Sequence, residues 1–152
     1  MPANYDQLKI FDILLFPGIG NLYYHAGMYA GKHHLTGLPM IYESLSRGPI
    51  LHEFESSRVP AHIIRRNHPF TQNEVVAMGQ AMYELAEMKY DYAGFAKALL
   101  TGGLWLDHGG TNRIRCDELI CLCYRHAGIP LNPNPLRPKG FLYAPGFSPI
   151  LN

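Results

Sequence analysis

The chain has 152 residues, of which 47% are hydrophobic and 16% are charged, and its formal net charge is +1. This length is enough to bury a core, and we expect a single domain over residues 1–152. A near-neutral chain without a basic tract argues against nucleic-acid binding. Its three cysteines, crowded onto one predicted helix, favour a reducing compartment and lack the paired spacing of a zinc site, so we expect no metal and no cofactor.

The first strongly apolar stretch bears on membrane insertion. The run 13–16 is too short to span a bilayer, and it has neither a basic leader nor a small-residue cleavage site. We therefore expect a chain that is cytoplasmic as synthesised and has no integral membrane segment. Release by lysis and carriage within a larger particle both stay open.

The first half of the chain predicts a meandering antiparallel sheet of short strands. Residues 9–16 form a nearly continuous apolar run closed by Pro17, which is typical of a buried strand. Asp12 within this run needs a hydrogen-bonding partner, because burying a bare carboxylate is costly. The other predicted strands are 22–31, 40–43, 50–54 and 61–66.

Alternation along the second strand separates its two faces. His25, Gly27 and Tyr29 should share one face, because side chains in a strand alternate with a period of two. Gly27 beside His25 leaves room for close packing or for a ligand. On the third strand, Ile41 and Glu43 should lie on the same side.

A helix is predicted over residues 72–87. Thr71 and Glu74 have the spacing of a capping box, while Phe70 and Val75 occupy the two positions of a hydrophobic staple. Apolar residues then recur at helical spacing. Residues 95–100 predict a shorter apolar helix, and the glycine-rich stretch 101–112 predicts a loop beside the site or on the surface.

The helix over residues 115–128 places a thiol in its first turn. Its apolar residues share one face, and Gly128 provides the left-handed stop. Cys116 lies where backbone N–H groups are unpaired and the helix dipole is positive, which favours the thiolate. Cys121 and Cys123 are expected to be small buried hydrophobic residues.

The segment 130–152 is rich in proline but carries interspersed aromatic residues. The prolines alone would suit a disordered tail, whereas the aromatics favour an extended segment packed on the surface. Such a segment could also dock on a partner protein.

A cysteine nucleophile needs a base, which is usually histidine, and a third group that orients the histidine. The chain has eight histidines. His126 is more than two helical turns from Cys116 and cannot reach the thiol. His25 lies in an apolar strand whose face also carries a glycine, and this makes it the best-placed base.

Four segments carry a resemblance to a known family. Residues 11–15 resemble the Gly-Asp-Ile opening strand of the permuted NlpC/P60 cysteine hydrolases, with Phe11 in place of the usual glycine. Residues 24–31 resemble the family's aromatic-x-His-x-x-x-Tyr-x-Gly strand. Residues 89–92 are similar to the segment before the cysteine, and residues 115–120 are similar to the cysteine helix start. The order histidine first and cysteine last is that of the YiiX-like and lecithin:retinol acyltransferase-like branch.

The resemblance implies both a fold and a site. The fold would be α+β and papain-like, circularly permuted, with a small antiparallel sheet packed against the cysteine-bearing helix. By position, Cys116 would be the nucleophile, His25 the base and Glu43 the third, polar member of the triad. Tyr24 and Asp117 would contact the substrate.

The implied function is that of a cysteine amidase or peptidase, acting on amide bonds of cell-wall peptides. A lipid acyl hydrolase or acyltransferase of the same fold is one alternative. A catalytically inactive structural or binding module in a larger assembly is another. Cys116 and His25 within hydrogen-bond reach beside an open cleft would favour the enzyme, and a segment filling that cleft would favour the inactive module.

Overall fold

A computed structural model describes residues 5–18, 24–54, 57–93, 113–133 and 138–150. Within them the chain forms a mixed α+β fold, so the predicted class is confirmed at this level. The strands are β1 (Ile13–Pro17), β2 (Tyr24–Lys32), β3 (Pro39–Leu45), β4 (Gly48–Glu53), β5 (His62–Arg66), β6 (Lys89–Tyr90), β7 (Arg113–Ile114) and β8 (Phe147–Ile150). The helices are α1 (Gln72–Leu85) and α2 (Cys116–His126), with short 3-10 turns at Tyr5–Gln7 and Pro138–Tyr143.

Six strands form one antiparallel sheet in the order β4-β3-β2-β1-β5-β8. The first four strands follow one another as a meander, as the sequence predicts. β5 instead pairs with the other side of β1, and β8 adds to β5. β6 and β7 form a separate parallel pair of two residues each, immediately before α2.

β1 begins later than the apolar run predicts. A turn precedes it, in which the Lys9 amide donates to Asp12 Oδ2 at 2.9 Å and Phe11 has a φ of 68°. Asp12 also has the partner that its burial requires, because Arg65 Nε and Nη2 donate to its carboxylate at 2.9 and 2.6 Å. The extended strand therefore starts only at Ile13.

The central strands of the sheet are buried on both faces, whereas the edge strand β4 is largely exposed. One face carries Ala26 and Met28 of β2 and packs against α2. The opposite face carries Tyr29 and Ile41, which confirms the predicted alternation of β2. A Cβ on Gly27 would lie 2.5 Å from Ile41 Cδ1, so the space left by this glycine is filled by a neighbouring side chain.

α1 begins with the predicted capping box. The Glu74 amide donates to Thr71 Oγ1 at 3.3 Å, and the Thr71 amide donates to Glu74 Oε2 at 2.7 Å. Within the helix, Met78 and Ala81 are the buried residues, so they mark the side that faces the core. The helix ends at Leu85, two residues before the predicted end.

α2 begins at Cys116 and ends where the sequence predicts. Gly128 has a φ of 74°, which is the left-handed conformation that favours glycine after a helix. Cys121 and Cys123 are 2% and 0% exposed, as expected of core residues. The Arg115 amide donates to Glu118 Oε2 at 3.0 Å, so this first-turn carboxylate secures the helix start.

The C-terminal segment contributes more to the fold than a surface strap would. Phe141 is 1% exposed, and Phe147–Ile150 forms the edge strand β8. Burial of these aromatic residues accounts for the difference, and Pro149 is tolerated because an edge strand can lack one N–H donor. The predicted helix at 95–100 and the loop at 101–112 lie outside the described residues. Among the described helices, none has the length and apolar character needed to cross a membrane.

Candidate active site

The start of α2 lies next to the open end of the β2–β3 ladder. Pairing between β2 and β3 begins at Gly27 and Glu43. His25 lies beyond the end of this pairing, but it still pairs with Phe16 of β1. Ser44 Oγ donates to the Ile114 carbonyl at 3.0 Å and ties β3 to the residues before the helix. The first turn of α2 is thereby held beside the strand end that carries His25.

The structure brings the three residues of the predicted triad together. The Cys116 side chain is close enough to the His25 ring to raise its pKa, and His25 Nε2 lies 2.6 Å from Glu43 Oε2. Since Nε2 contacts the carboxylate, Nδ1 is the ring nitrogen available to the thiol. Cys116 is 8% exposed and the His25 side chain is 25% exposed, so the thiol is shielded while the imidazole still borders solvent.

The surroundings of His25 favour its charged form. Burial lowers the pKa of His25, but the hydrogen bonds with Cys116 and Glu43 outweigh burial and raise that pKa to about 9. At neutral pH the ring is therefore an imidazolium, with both nitrogens able to donate. An imidazolium beside a sulfur atom stabilises a thiolate, which is the nucleophilic form of cysteine.

Glu43 is fully buried and has four charged or polar contacts. Arg58 donates from Nη1 to Oε1 at 2.6 Å and from Nη2 to Oε2 at 3.1 Å, while His52 Nε2 lies 2.8 Å from Oε1. Burial raises the pKa of Glu43, but the hydrogen bonds from His25 and Arg58 prevail and lower it to about 2. The carboxylate is therefore ionised and can only accept hydrogen bonds.

His52 and Arg58 are site residues that sequence reasoning missed. His52 Nδ1 lies 2.9 Å from the Glu53 carbonyl while Nε2 faces Glu43, so both ring nitrogens face acceptors. His52 lies in the predicted strand 50–54, but the direction of its side chain follows only from the β3–β4 register, which pairs it with Ile41. The sequence around Arg58 has no pattern that would single it out.

The cluster around Glu43 does not resemble a metal site. Among the described residues, no group of three or more histidine, cysteine, aspartate or glutamate side chains is arranged to hold a metal ion. Arg58 occupies both oxygens of the carboxylate, and its positive charge opposes a bound cation.

The two residues expected to contact substrate differ in placement. Tyr24 is the first residue of β2, and its side chain lies outside the described part of the chain. Asp117 is 2% exposed, and its carboxylate accepts from Arg115 Nε and Nη2 at 3.1 and 2.9 Å. The Asp117 side chain is therefore engaged in a buried ion pair with Arg115, and this placement does not support a direct substrate contact.

Tyr90 is a further aromatic residue close to the thiol. Burial raises the pKa of Tyr90, and the nearby charges of Cys116 and Asp117 raise it further. The Tyr90 ring also packs against Tyr92, with 4.8 Å between ring centroids. The phenol therefore stays protonated at neutral pH and retains a hydrogen-bond donor beside the helix start.

The chain has no significant match to a protein-family model or to a curated protein. Its function is therefore inferred from the chemistry of the site and from the resemblance of its motifs.

Proposed function

We propose that the protein is a cysteine hydrolase that acts by acyl transfer through Cys116, His25 and Glu43. The observation that carries the proposal is the position of the His25 ring, which lies 2.6 Å from the buried Glu43 carboxylate and close enough to the Cys116 side chain for the two groups to interact. A thiol is activated when a base lies beside it and an acceptor group orients that base. The Cys116 position at the first turn of α2 adds the helix dipole to this activation.

Each residue has a defined role in the proposed reaction. The Cys116 thiolate attacks the carbonyl carbon of the substrate, and backbone N–H groups in the first turn of α2 donate to the developing oxyanion. His25 then donates its proton to the leaving group, which leaves an acyl thioester on Cys116. His25 next removes a proton from water, and the resulting hydroxide releases the acyl group as a carboxylic acid. Glu43 holds the ring in place throughout the reaction, and it stabilises the positive charge of the ring whenever His25 is protonated.

The resemblance to the permuted NlpC/P60 hydrolases supports a papain-like, circularly permuted fold for this site. The same resemblance supports amide bonds of cell-wall peptides as the substrate, with water as the acyl acceptor. Acyl lipids are the competing substrate class within that fold. An inactive structural or binding module is the competing non-enzymatic role, and thiol reactivity separates it from the enzyme.

The first test is alkylation of the native protein by iodoacetamide between pH 4 and 9, with the modified residue located by peptide mass spectrometry. We expect labelling at Cys116 and not at Cys121 or Cys123, because burial raises the pKa of both core thiols. His25→Ala should slow labelling at pH 6 by about tenfold or more, since a free thiol with a pKa of about 8.5 is almost fully protonated there.

His126→Ala is the matched control, because His126 lies on the same helix at its far end and is partly exposed. This variant should label at the wild-type rate. An unreactive Cys116, or one indifferent to loss of His25, would exclude the hydrolase and favour the inactive module. If the pair is reactive, release of an amine from cell-wall peptides or of a fatty acid from acyl lipids identifies the substrate class.

A further inference from the structure

The Glu43 carboxylate is contacted by two histidines on different oxygens. His25 Nε2 lies 2.6 Å from Oε2, and His52 Nε2 lies 2.8 Å from Oε1. Rotation of the carboxylate about its last side-chain bond would displace both oxygens from these histidine nitrogens. Whether His25 stays aimed at the thiol therefore depends on what prevents this rotation.

Arg58 spans both oxygens of the same carboxylate. Its Nη1 and Nη2 lie 2.6 and 3.1 Å from Oε1 and Oε2, respectively. A planar guanidinium bonded to both oxygens favours one orientation of the carboxylate plane, whereas a single-point cation such as lysine allows rotation. The ion pair is well shielded, because the Glu43 side chain is fully buried and the Arg58 side chain is 29% exposed.

Arg58 is itself held in place by aromatic residues. Its guanidinium carbon lies 4.4 Å from the centre of the Phe16 ring, and that ring stacks on His25 with 6.1 Å between centroids. The Arg58 carbonyl accepts a hydrogen bond from the Tyr5 hydroxyl at 3.2 Å. The arginine is thus anchored at its backbone and at its guanidinium group. Phe16 and Glu43 each contact both Arg58 and His25, and they connect the two residues.

We propose that Arg58 is a positioning residue, whose two-point contact fixes the plane of the Glu43 carboxylate and thereby keeps the His25 ring aimed at Cys116. This inference rests on the proposed function, since it concerns the base of that site. Arg58 itself does not touch the reacting sulfur. Its effect passes through the carboxylate, and the shape of the guanidinium matters as well as its charge.

The test compares Arg58→Met and Arg58→Lys with the wild type in the iodoacetamide assay. Methionine keeps apolar contact with Phe16 but removes the donors, and lysine keeps the charge but loses the two-point geometry. We expect both variants to label Cys116 about tenfold more slowly at pH 6, with a pH profile shifted toward that of a free thiol near pH 8.5. The NMR signal of the hydrogen-bonded Nε2 proton of His25 should be present in the wild type and should weaken or vanish in both variants.

The chain offers a matched control in Arg66. This arginine makes the same two-point contact with Glu74, at 3.0 and 3.1 Å, and lies 5.1 Å from the centre of the Phe70 ring. Arg66→Met and Arg66→Lys should leave Cys116 labelling within about twofold of the wild type, because the partners of Arg66, Glu74 and Phe70, are not residues of the proposed site.

The outcomes separate this inference from the function on which it rests. An Arg58→Lys variant that labels at the wild-type rate would overturn the two-point argument, even if Arg58→Met is slow. If Arg58→Met fails to fold, Arg58→Lys alone decides. A wild-type thiol that is reactive and depends on His25, with both Arg58 variants unchanged, would overturn the positioning role and leave the hydrolase proposal standing. An unreactive wild-type thiol would overturn both.

Discussion

The substitution Glu43→Gln tests the electrostatic reasoning about the site most directly. Glutamine resembles the protonated carboxyl in shape and charge, so the substitution measures what ionisation of Glu43 contributes to folding. The pKa of Glu43 falls from 4.5 to about 2 in the folded protein. This lowering of the pKa corresponds to about 3 kcal/mol at pH 7.

The sign of the pH dependence follows from the direction of that shift. A folded-state pKa below the unfolded value contributes stability that is present above pH 4.5 and is lost as the pH falls toward 2. The difference in unfolding free energy between the wild type and Glu43→Gln should therefore shrink from about 3 kcal/mol at pH 7 to about 1 kcal/mol at pH 3. Urea unfolding at several pH values measures this difference.

Glu84→Gln provides the control for removing a carboxylate. Glu84 is about half exposed and accepts from Gln80 on the surface of α1. We expect this substitution to change the unfolding free energy by less than about 0.5 kcal/mol at any pH. A loss below about 1 kcal/mol for Glu43→Gln at pH 7, or a loss that is independent of pH, would refute the conclusion that the buried carboxylate is stabilised as an anion.

Two further substitutions test packing and burial near the site. Gly27→Ala should cost about 1–3 kcal/mol, because the new Cβ would lie 2.5 Å from Ile41 Cδ1, and adding Ile41→Val should recover part of this loss in thermal unfolding. If the stability losses of the two single variants simply add in the double variant, the predicted clash is contradicted. Asp117→Asn should cost about 1–3 kcal/mol in urea unfolding, because it removes the charge of one of the two carboxylates that pair with the buried Arg115 guanidinium, the other being that of Glu118. The exposed-pair control Asp6→Asn should cost less than about 0.5 kcal/mol, and equal losses would contradict the burial argument.

The elements that sequence predicts well are those specified by nearby residues. The capping box at Thr71 and Glu74 is four residues long, and the helix stop at Gly128 needs only a glycine after an apolar stripe. The alternation that places His25 and Gly27 on one face likewise follows from the period of a strand. Each of these features depends on contacts within one element, and the structure confirms each of them.

The features that sequence does not predict arise from contacts between distant segments. The place of β5 beside β1 and of β8 beside β5 depends on which edges remain open after the meander forms. His52 reaches Glu43 only through the β3–β4 register, and Arg58 reaches it from a segment without a sequence pattern. The start of β1 at Ile13 reflects the turn at Asp12, which apolar composition alone cannot reveal.

The bulge between Tyr29 and Gly31 has a consequence for how the chain can change in length during evolution. This register shift lies between the β2–β3 loop and the Gly27–Glu43 pair, and Gly31 has a φ of 99°. A one-residue slip on the Glu43 side of the bulge would turn the carboxylate to the opposite face of the sheet. Related chains should therefore tolerate insertions in the loop at 33–38 and keep the spacing from Gly31 back to His25 unchanged.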